Sequence, residues 1–169
     1  MTDNAPLPLS SRARVALSIA RGIAAARGDD DLSPHLIALG LLREGENAGV
    51  ATLAHAGADL RALRRDLELA LGPEGRPRAS EVALPSTPGE RLVLAHAVEE
   101  SQRRRETFLG PQHLLLALLR DPESPVARVC AGHGVTYLAA GAALGRVLET
   151  TITDGGHGDG EPPASPPAA

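Results

Sequence analysis

The side chains in this sequence that could carry acid–base, nucleophilic or metal chemistry are a few histidines and one cysteine. They are His35, His55, His96, His113, His133, His157 and Cys130. No two histidines are four residues apart and the thiol has no second cysteine at a zinc-site spacing, so we predict no metal site. As a nucleophile Cys130 would need a nearby base, and only His133 is close in sequence, so packing in an apolar core is the favoured interpretation. Asp31 and Ser33 beside His35 are typical of a helix start, not of a catalytic triad, and we therefore predict that the protein is not an enzyme.

The charged residues exclude further classes of function. All 17 basic residues of the 169-residue chain are arginine, so it has neither a Schiff-base lysine nor the lysine of a phosphate-binding P-loop. The formal net charge of −4 argues against nucleic acid as a partner, because phosphate binding needs a basic face. A lone cysteine fits a reducing cytoplasm, and the sequence shows neither a signal-like N-terminus nor an apolar run of membrane-spanning length. We expect a cytoplasmic protein that does not bind membranes.

The elements that carry these residues belong to two copies of one unit. A shift of 77 residues, without a gap, superposes the copies over roughly 60 residues. Pairs that become identical under this shift include Leu17 with Leu94, Ala20 with Ala97, Pro34 with Pro111, Leu39 with Leu116, Gly57 with Gly134, Leu67 with Leu144 and Leu71 with Leu148. One gapless register of this length indicates a real internal repeat.

Each copy predicts four short helices. The start signals of successive helices are hydroxyl caps at Ser10 and Thr87, then Ser33-Pro34 and Gly110-Pro111, and finally Asp59 and Thr136, while Gly57 and Gly134 end the short third helices. With one Phe, one Tyr and no Trp, the core must consist of small aliphatic side chains, which favours close-packed helices over strands. We predict an all-α fold of eight short helices.

Composition sets the expected boundaries of the folded part. We predict a disordered N-terminus over residues 1–8, a first repeat over 9–72, a linker over 73–85, a second repeat over 86–150 and a disordered tail over 151–169. The linker and the tail are rich in Gly and Pro, and they contain too little apolar surface to offset the entropy lost on ordering.

Short strings recur at equivalent places in the two copies. They are Leu9-Ser10-Ser11-Arg12-Ala13-Arg14, Leu39-Gly40-Leu41-Leu42-Arg43-Glu44-Gly45-Glu46 and Ala56-Gly57-Ala58-Asp59-Leu60 in the first, and Thr87-Pro88, Gly110-Pro111-Gln112-His113-Leu114-Leu115-Leu116-Ala117-Leu118-Leu119-Arg120 and Gly134-Val135 in the second. Together they resemble the double repeat of the N-terminal domain of Clp ATPases of the ClpA and ClpC type. The resemblance covers nearly all of the predicted folded region.

The resemblance implies a pseudo-twofold domain that binds proteins. In full-length Clp unfoldases this domain precedes two AAA+ modules and binds adaptors and substrates for an attached protease. The present sequence has no P-loop motif, so we expect a stand-alone module without ATPase activity and without a cofactor. Its expected partners are Clp ATPase or protease components, adaptors or substrate proteins, through which it would modulate Clp-dependent proteolysis. The alternative is a sequestrant of peptide-like small molecules, such as cyclic peptide antibiotics that target Clp ATPases.

The resemblance also implies a ligand groove between the copies. The positions that would line it are Leu9, Arg14, Ser86 and Arg91. Family members carry phenylalanine where this chain has Leu9 and Ser86, so we expect a less aromatic groove. Arg14 and Arg91 keep the basic position of the first helix in each copy; they could bind an acidic or phosphorylated group, or simply be solvated first-turn arginines.

Two further family positions have diverged, and a third is kept in the second copy only. In the ClpC branch a glutamate in each copy helps to recognise phosphoarginine, because a carboxylate can hold the cationic guanidinium group. The present chain has His35 and Gln112 at those positions, which argues against phosphoarginine as its ligand. The histidine that follows in the family is kept only as His113, either as a ligand-contacting or pH-responsive group or as hydrogen-bonded scaffold.

Overall fold

The computed structural model describes residues 7–77 and 87–154, and over these two ranges it confirms the all-α prediction. The helices are α1 (Ser11–Arg27), α2 (Pro34–Glu44), α3 (Ala48–His55), α4 (Leu60–Ala70), α5 (Pro88–Arg103), α6 (Pro111–Leu119), α7 (Pro125–Gly132) and α8 (Tyr137–Asp154). Four helices fall in each copy, in the same order. Over the described ranges, none of them combines the length and the apolar character needed to cross a membrane.

Local signals in the sequence place the helix ends. The hydroxyls of Ser10 and Thr87 accept hydrogen bonds from the backbone N–H groups three residues later, as expected of N-caps. Pro34 is the first residue of α2, where its missing N–H costs no helical hydrogen bond. Gly57 and Gly134 follow α3 and α7 with φ of 90° and 77°, a left-handed conformation that favours glycine.

The two copies interlock through an exchange of helix partners. Within each copy the first two helices pack together, α1 on α2 and α5 on α6. The third and fourth helices also pack across the interface, with α3 against α8 and α4 against α7. Polar contacts follow the same exchange: His133 Nε2 lies 2.9 Å from Asp66 Oδ2, and Arg146 Nη2 donates to the His55 carbonyl at 3.2 Å. The buried side chains of both copies form a single apolar core.

The packed region begins earlier than the boundary expected at residue 9. Leu7 packs against the core, and the Pro8 carbonyl accepts a hydrogen bond from Leu109 N–H at 2.8 Å. This segment is ordered because it pairs with the other copy, which composition alone does not reveal.

The start of the predicted linker is held against the end of α1. Arg27, only 9% exposed, donates through Nε to Asp29, through Nη1 to Glu74 and through Nη2 to the Gly72 carbonyl, at 3.0–3.3 Å. Gly75 N–H donates back to the Arg27 carbonyl at 2.6 Å. This arginine therefore has a structural role at the exit from the first copy.

The C-terminal helix passes the boundary expected at residue 150, since α8 ends at Asp154. Residues 1–6, 78–86 and 155–169 lie outside the described ranges, and with them most of the expected N-terminal segment, linker and tail.

Candidate functional site

The first helix of each copy starts on a loop of the other copy. Leu9 forms an isolated parallel bridge with Leu109, and Ser10 N–H donates to the Leu109 carbonyl at 2.9 Å. In the second copy the Thr87 hydroxyl lies 3.5 Å from the Leu32 carbonyl. The repeat shift of 77 residues relates these two contacts, since it places Ser10 on Thr87 and Leu32 on Leu109. These two contacts, together with the starts of α1 and α5, are called the seam. Leu9 is part of the seam.

The two basic site residues lie in the first turns of the two helices that start at the seam. Arg14 and Arg91 are both exposed, one turn after the caps of α1 and α5. The same two helices are joined by Arg21, whose Nη2 donates to Glu90 Oε1 at 2.5 Å. Glu90 is 2% exposed, so this ion pair ties the half-exposed Arg21 of α1 to a buried carboxylate at the start of α5.

Beside each exposed arginine lies an exposed aliphatic side chain. Val15 is 48% exposed and Leu92 is 58% exposed, and the repeat shift places one on the other. Each is adjacent in sequence to the arginine of its copy, so the surface carries two matching cation–aliphatic pairs. We call Arg14 with Val15, and Arg91 with Leu92, the seam pairs. Sequence reasoning missed the two aliphatic members, although they lie off the buried stripe of their helices and correspond under the repeat.

His35 lies in the first turn of α2, close to the start of α5. A Cβ built on Gly89 would lie 3.6 Å from Pro34 Cδ, which places the two helix starts in contact. The His35 side chain is half-buried, and its Nε2 is inaccessible and makes no hydrogen bond with the described residues. Burial lowers the pKa of His35, so the ring is neutral near pH 7 and cannot replace a carboxylate.

Gln112 and His113 are committed to contacts inside the second copy. Gln112, 5% exposed, donates to Glu106 Oε2 at 3.2 Å. His113 is fully buried, and its Nδ1 accepts the Gly110 N–H at 3.0 Å, closing the first turn of α6. Its Nε2 lies 3.3 Å from Glu106 Oε1 without hydrogen-bond alignment. Burial lowers the pKa of His113 and outweighs the opposing effect of the Glu106 carboxylate. The His113 ring has the geometry of hydrogen-bonded scaffold.

Of the remaining candidates, Ser86 lies outside the described ranges and Cys130 lies in the core. Burial raises the pKa of the Cys130 thiol to about 11, so the thiol is protonated at neutral pH and is a poor nucleophile. Within the ranges that the structure describes, no group of three or more His, Cys, Asp or Glu side chains is arranged to hold a metal ion.

The arrangement is suited to binding. Leu9 and the seam pairs lie at the starts of α1 and α5, and His35 lies in the first turn of α2 beside the start of α5, whereas Gln112 and His113 are buried in the second copy. Guanidinium groups beside exposed aliphatic side chains can hold a peptide through charge-assisted hydrogen bonds and apolar contact.

Comparison with known proteins places this geometry in a family. The model of the Clp repeat (R) N-terminal domain matches residues 8–133 and again residues 86–169. The chaperone protein ClpB of Oceanobacillus iheyensis is 26% identical over 148 residues, which are 88% of this chain and 18% of that protein. The negative regulator of genetic competence ClpC/MecB of Bacillus subtilis is 26% identical over 144 residues, 85% of this chain and 17% of that protein. The chain thus spans less than a fifth of the length of these relatives.

Solved structures show the same fold. The N-terminal domain of the chaperone ClpD from Arabidopsis thaliana superposes with a TM-score of 0.62 at 18% identity, covering 88% of this chain and 99% of that one. The Hsp104 N-terminal domain from Candida albicans gives a TM-score of 0.69 at 14% identity, covering 83% and 91%. With the family model matched across both copies, the chain belongs to the Clp repeat (R) N-terminal domain family.

Proposed function

We propose that this protein recognises adaptors or substrates of Clp unfoldases through the seam pairs, and that it thereby modulates Clp-dependent proteolysis. The observation that carries the proposal is the repetition of an exposed arginine with an exposed aliphatic neighbour on both sides of the seam, at Arg14-Val15 and Arg91-Leu92. Exposed aliphatic side chains at equivalent positions of both copies favour a partner-binding surface over two unrelated exposed residues.

The physical chemistry of the surface indicates the kind of ligand. Burying each aliphatic side chain against a partner contributes on the order of 1–2 kcal/mol, since each is about half exposed before binding. Each guanidinium group adds specificity, because its N–H groups form charge-assisted hydrogen bonds with carboxylate or phosphate oxygens. We infer a peptide segment that offers apolar side chains beside acidic or phosphorylated ones.

The diverged positions, His35 and Gln112, argue against phosphoarginine as the ligand. Phosphoarginine carries a cationic guanidinium group that needs an anionic partner. His35 is neutral and Gln112 is buried in contact with Glu106, so neither replaces the missing glutamate. We therefore expect a ligand that carries carboxylate or phosphate groups and no cationic guanidinium group.

The test is affinity capture from the host with a matched pair of variants. The wild-type chain is expected to retain Clp ATPase subunits, Clp protease or their adaptors, identified by mass spectrometry. Val15→Ser with Leu92→Ser removes the aliphatic half of the seam pairs and is expected to abolish this capture. Leu138→Ser is the control, because Leu138 is 80% exposed in α8, away from the seam. Recovery of no Clp component by the wild type, or equal recovery by the seam variant, would overturn the proposal.

The alternative function, sequestration of cyclic peptide antibiotics, uses the same aliphatic side chains. An uncharged cyclic peptide should raise the melting temperature of the wild type, and this shift should depend on Val15 and Leu92 but survive Arg14→Gln with Arg91→Gln. A protein ligand with acidic groups should lose affinity with either pair of substitutions. A thermal shift that survives the arginine variant, with no Clp component captured, favours sequestration.

A further inference from the structure

A second surface lies between α2 and α4 of the first copy, and it has a counterpart in the second copy. The first-copy cleft has an apolar floor formed by Leu42 and Leu60. The repeat shift places these residues on Leu119 and Tyr137, which line a cleft in the second copy together with Leu138. The two clefts therefore share three equivalent lining positions, the third being Arg61 with Leu138, although α7 also lines the cleft of the second copy.

The two clefts differ in charge. The first-copy cleft is lined by Arg61, Arg64 and Arg65. Arg64 and Arg65 also line an adjoining, larger cleft of about 830 Å³, together with Arg43. Glu68 is the carboxylate at their shared wall. We call these four arginines, with Leu42 and Leu60, the arginine cleft. Positive charge is thus concentrated at one place on a chain whose net charge is −4.

The fold does not require three of these four arginines, and only Arg43 has an arginine counterpart, Arg120, which also lines the second-copy cleft. The repeat shift places Arg61, Arg64 and Arg65 on Leu138, Gly141 and Ala142 of α8. A leucine, a glycine and an alanine occupy the equivalent turns of the second copy, so helix formation and packing do not depend on a guanidinium group there. The three arginine side chains are exposed and lie on the outer face of α4.

The guanidinium groups also have more donors than the cleft has acceptors. Arg43 Nη2 and Arg64 Nε both donate to the same oxygen of Glu68, at 3.2 Å and 3.1 Å. Burial alone would raise the pKa of Glu68, but the two arginines outweigh it and the pKa is lowered. Arg65 Nε donates to Asp66 Oδ1 at 3.4 Å, and Arg61 makes no salt bridge with the described residues. Each guanidinium offers five N–H donors, so the Glu68 and Asp66 carboxylates leave most of them available.

We propose that the arginine cleft is a second docking site, which takes an acidic peptide segment of a partner protein. Carboxylates at alternating positions of the segment would pair with Arg61, Arg64 and Arg65, while its apolar side chains pack on Leu42 and Leu60. Leu69, 73% exposed and lining the adjoining cleft, extends the apolar surface. Charge complementarity selects this occupant, because an arginine-lined cleft with an aliphatic floor disfavours basic or purely apolar segments.

The experiment uses the full chain and a short fluorescein-labelled peptide of alternating glutamate and leucine. Fluorescence anisotropy gives the affinity, and amide chemical shifts in NMR locate the binding site. The wild type is expected to bind the peptide with shifts along α2 and α4, and its affinity should fall as salt is added. Arg61→Gln, Arg64→Gln and Arg65→Gln together should weaken binding by at least about tenfold, the combined effect of three exposed ion pairs.

Matched controls separate this site from simple charge attraction and from the seam. Arg105→Gln, Arg128→Gln and Arg146→Gln remove the same charge from exposed positions outside the arginine cleft and should leave affinity within about twofold. An analogue with glutamine for glutamate should not bind. The proposal would be overturned by absence of binding to the wild type or by equal weakening of binding in both triple variants. It would also be overturned if the amide chemical-shift changes were confined to the starts of α1 and α5. Because the seam pairs are unchanged in these variants, the outcome is independent of the Clp-capture experiment.

Discussion

Replacing Gly40 with alanine tests a close contact between α1 and α2 in the first copy. A Cβ at this position of α2 would lie 2.3 Å from the Ala16 carbonyl oxygen and 2.9 Å from Ala20 Cβ, both in α1. Real Cβ atoms essentially never lie closer than 3.0 Å to such neighbours, so α1 must move away by about 0.7 Å, the difference between 3.0 and 2.3 Å. The obstacle is backbone and a short buried side chain, neither of which can rotate aside.

The expected magnitude follows from two opposing effects. Overpacking of a well-packed core costs about 1–3 kcal/mol, and the rigid obstacle places this site near the upper value. Alanine regains about 1 kcal/mol of helix propensity relative to glycine. We expect Gly40→Ala to lower the free energy of unfolding by about 2 kcal/mol, and the melting temperature by about 4–8 °C for a domain of this size.

Chemical denaturation and calorimetry measure this effect, and α1 itself supplies the control. Gly22 has nothing within 4 Å of its would-be Cβ, so Gly22→Ala should raise the free energy of unfolding by about 0.5–1 kcal/mol. If Gly40→Ala is as stable as the wild type, or gains as much as Gly22→Ala, then α1 and α2 are not held together as closely as described and the reasoning fails.

Three further predictions concern protonation, reactivity and the interlocked copies. Because burial holds the folded-state pKa of His113 below its ordinary 6.5, the unfolded chain takes up this proton first, so the free energy of unfolding falls as pH drops below about 6.5. His113→Gln keeps an acceptor for the Gly110 N–H and should flatten that dependence in urea titrations, leaving the part due to His35; an unchanged pH profile would contradict the assignment. Cys130 should not react with a thiol reagent at pH 8 until denaturant is added, and prompt labelling of the native chain would show that it is not buried as described. The fragment 7–77 should not fold as a monomer, because α3 and α4 lose α8 and α7; circular dichroism with light scattering tests this, and a helical, cooperatively unfolding monomer would refute it.

The parts of the fold that sequence predicted well are those with local causes. A hydroxyl at Ser10 or Thr87 satisfies backbone N–H groups within its own turn, and a glycine at Gly57 or Gly134 adopts a left-handed conformation without help from distant residues. The exchange of helix partners has no such local cause. Periodicity shows which face of a helix is apolar but not which helix covers it, so α3 against α8 could not be read from leucine spacing.

The candidate site was predictable to a smaller degree. The family resemblance indicated Arg14 and Arg91, and the repeat shift could have added Val15 and Leu92. Nothing in the sequence indicated that Gln112 is buried, because a polar residue in the first turn of a helix is usually solvated. Its burial depends on Glu106, six residues earlier in an irregular loop whose path is set by tertiary contacts.

The interlocked packing explains why the outer faces of α4 and α8 are free to differ between the two copies. Each copy supplies helices that cover the other, so the apolar residues of α3, α4, α7 and α8 are constrained twice, once by their own copy and once by its partner. Positions on the outside of α4 and α8 have no such constraint, and there Arg61 corresponds to Leu138 and Arg64 to Gly141. Beneath them the apolar floor of the cleft is kept, as Leu42 in one copy and Leu119 in the other. A duplicated scaffold that keeps these apolar positions while changing the charge around them can carry an arginine-lined surface in one copy alone, which a strictly symmetric pair could not do.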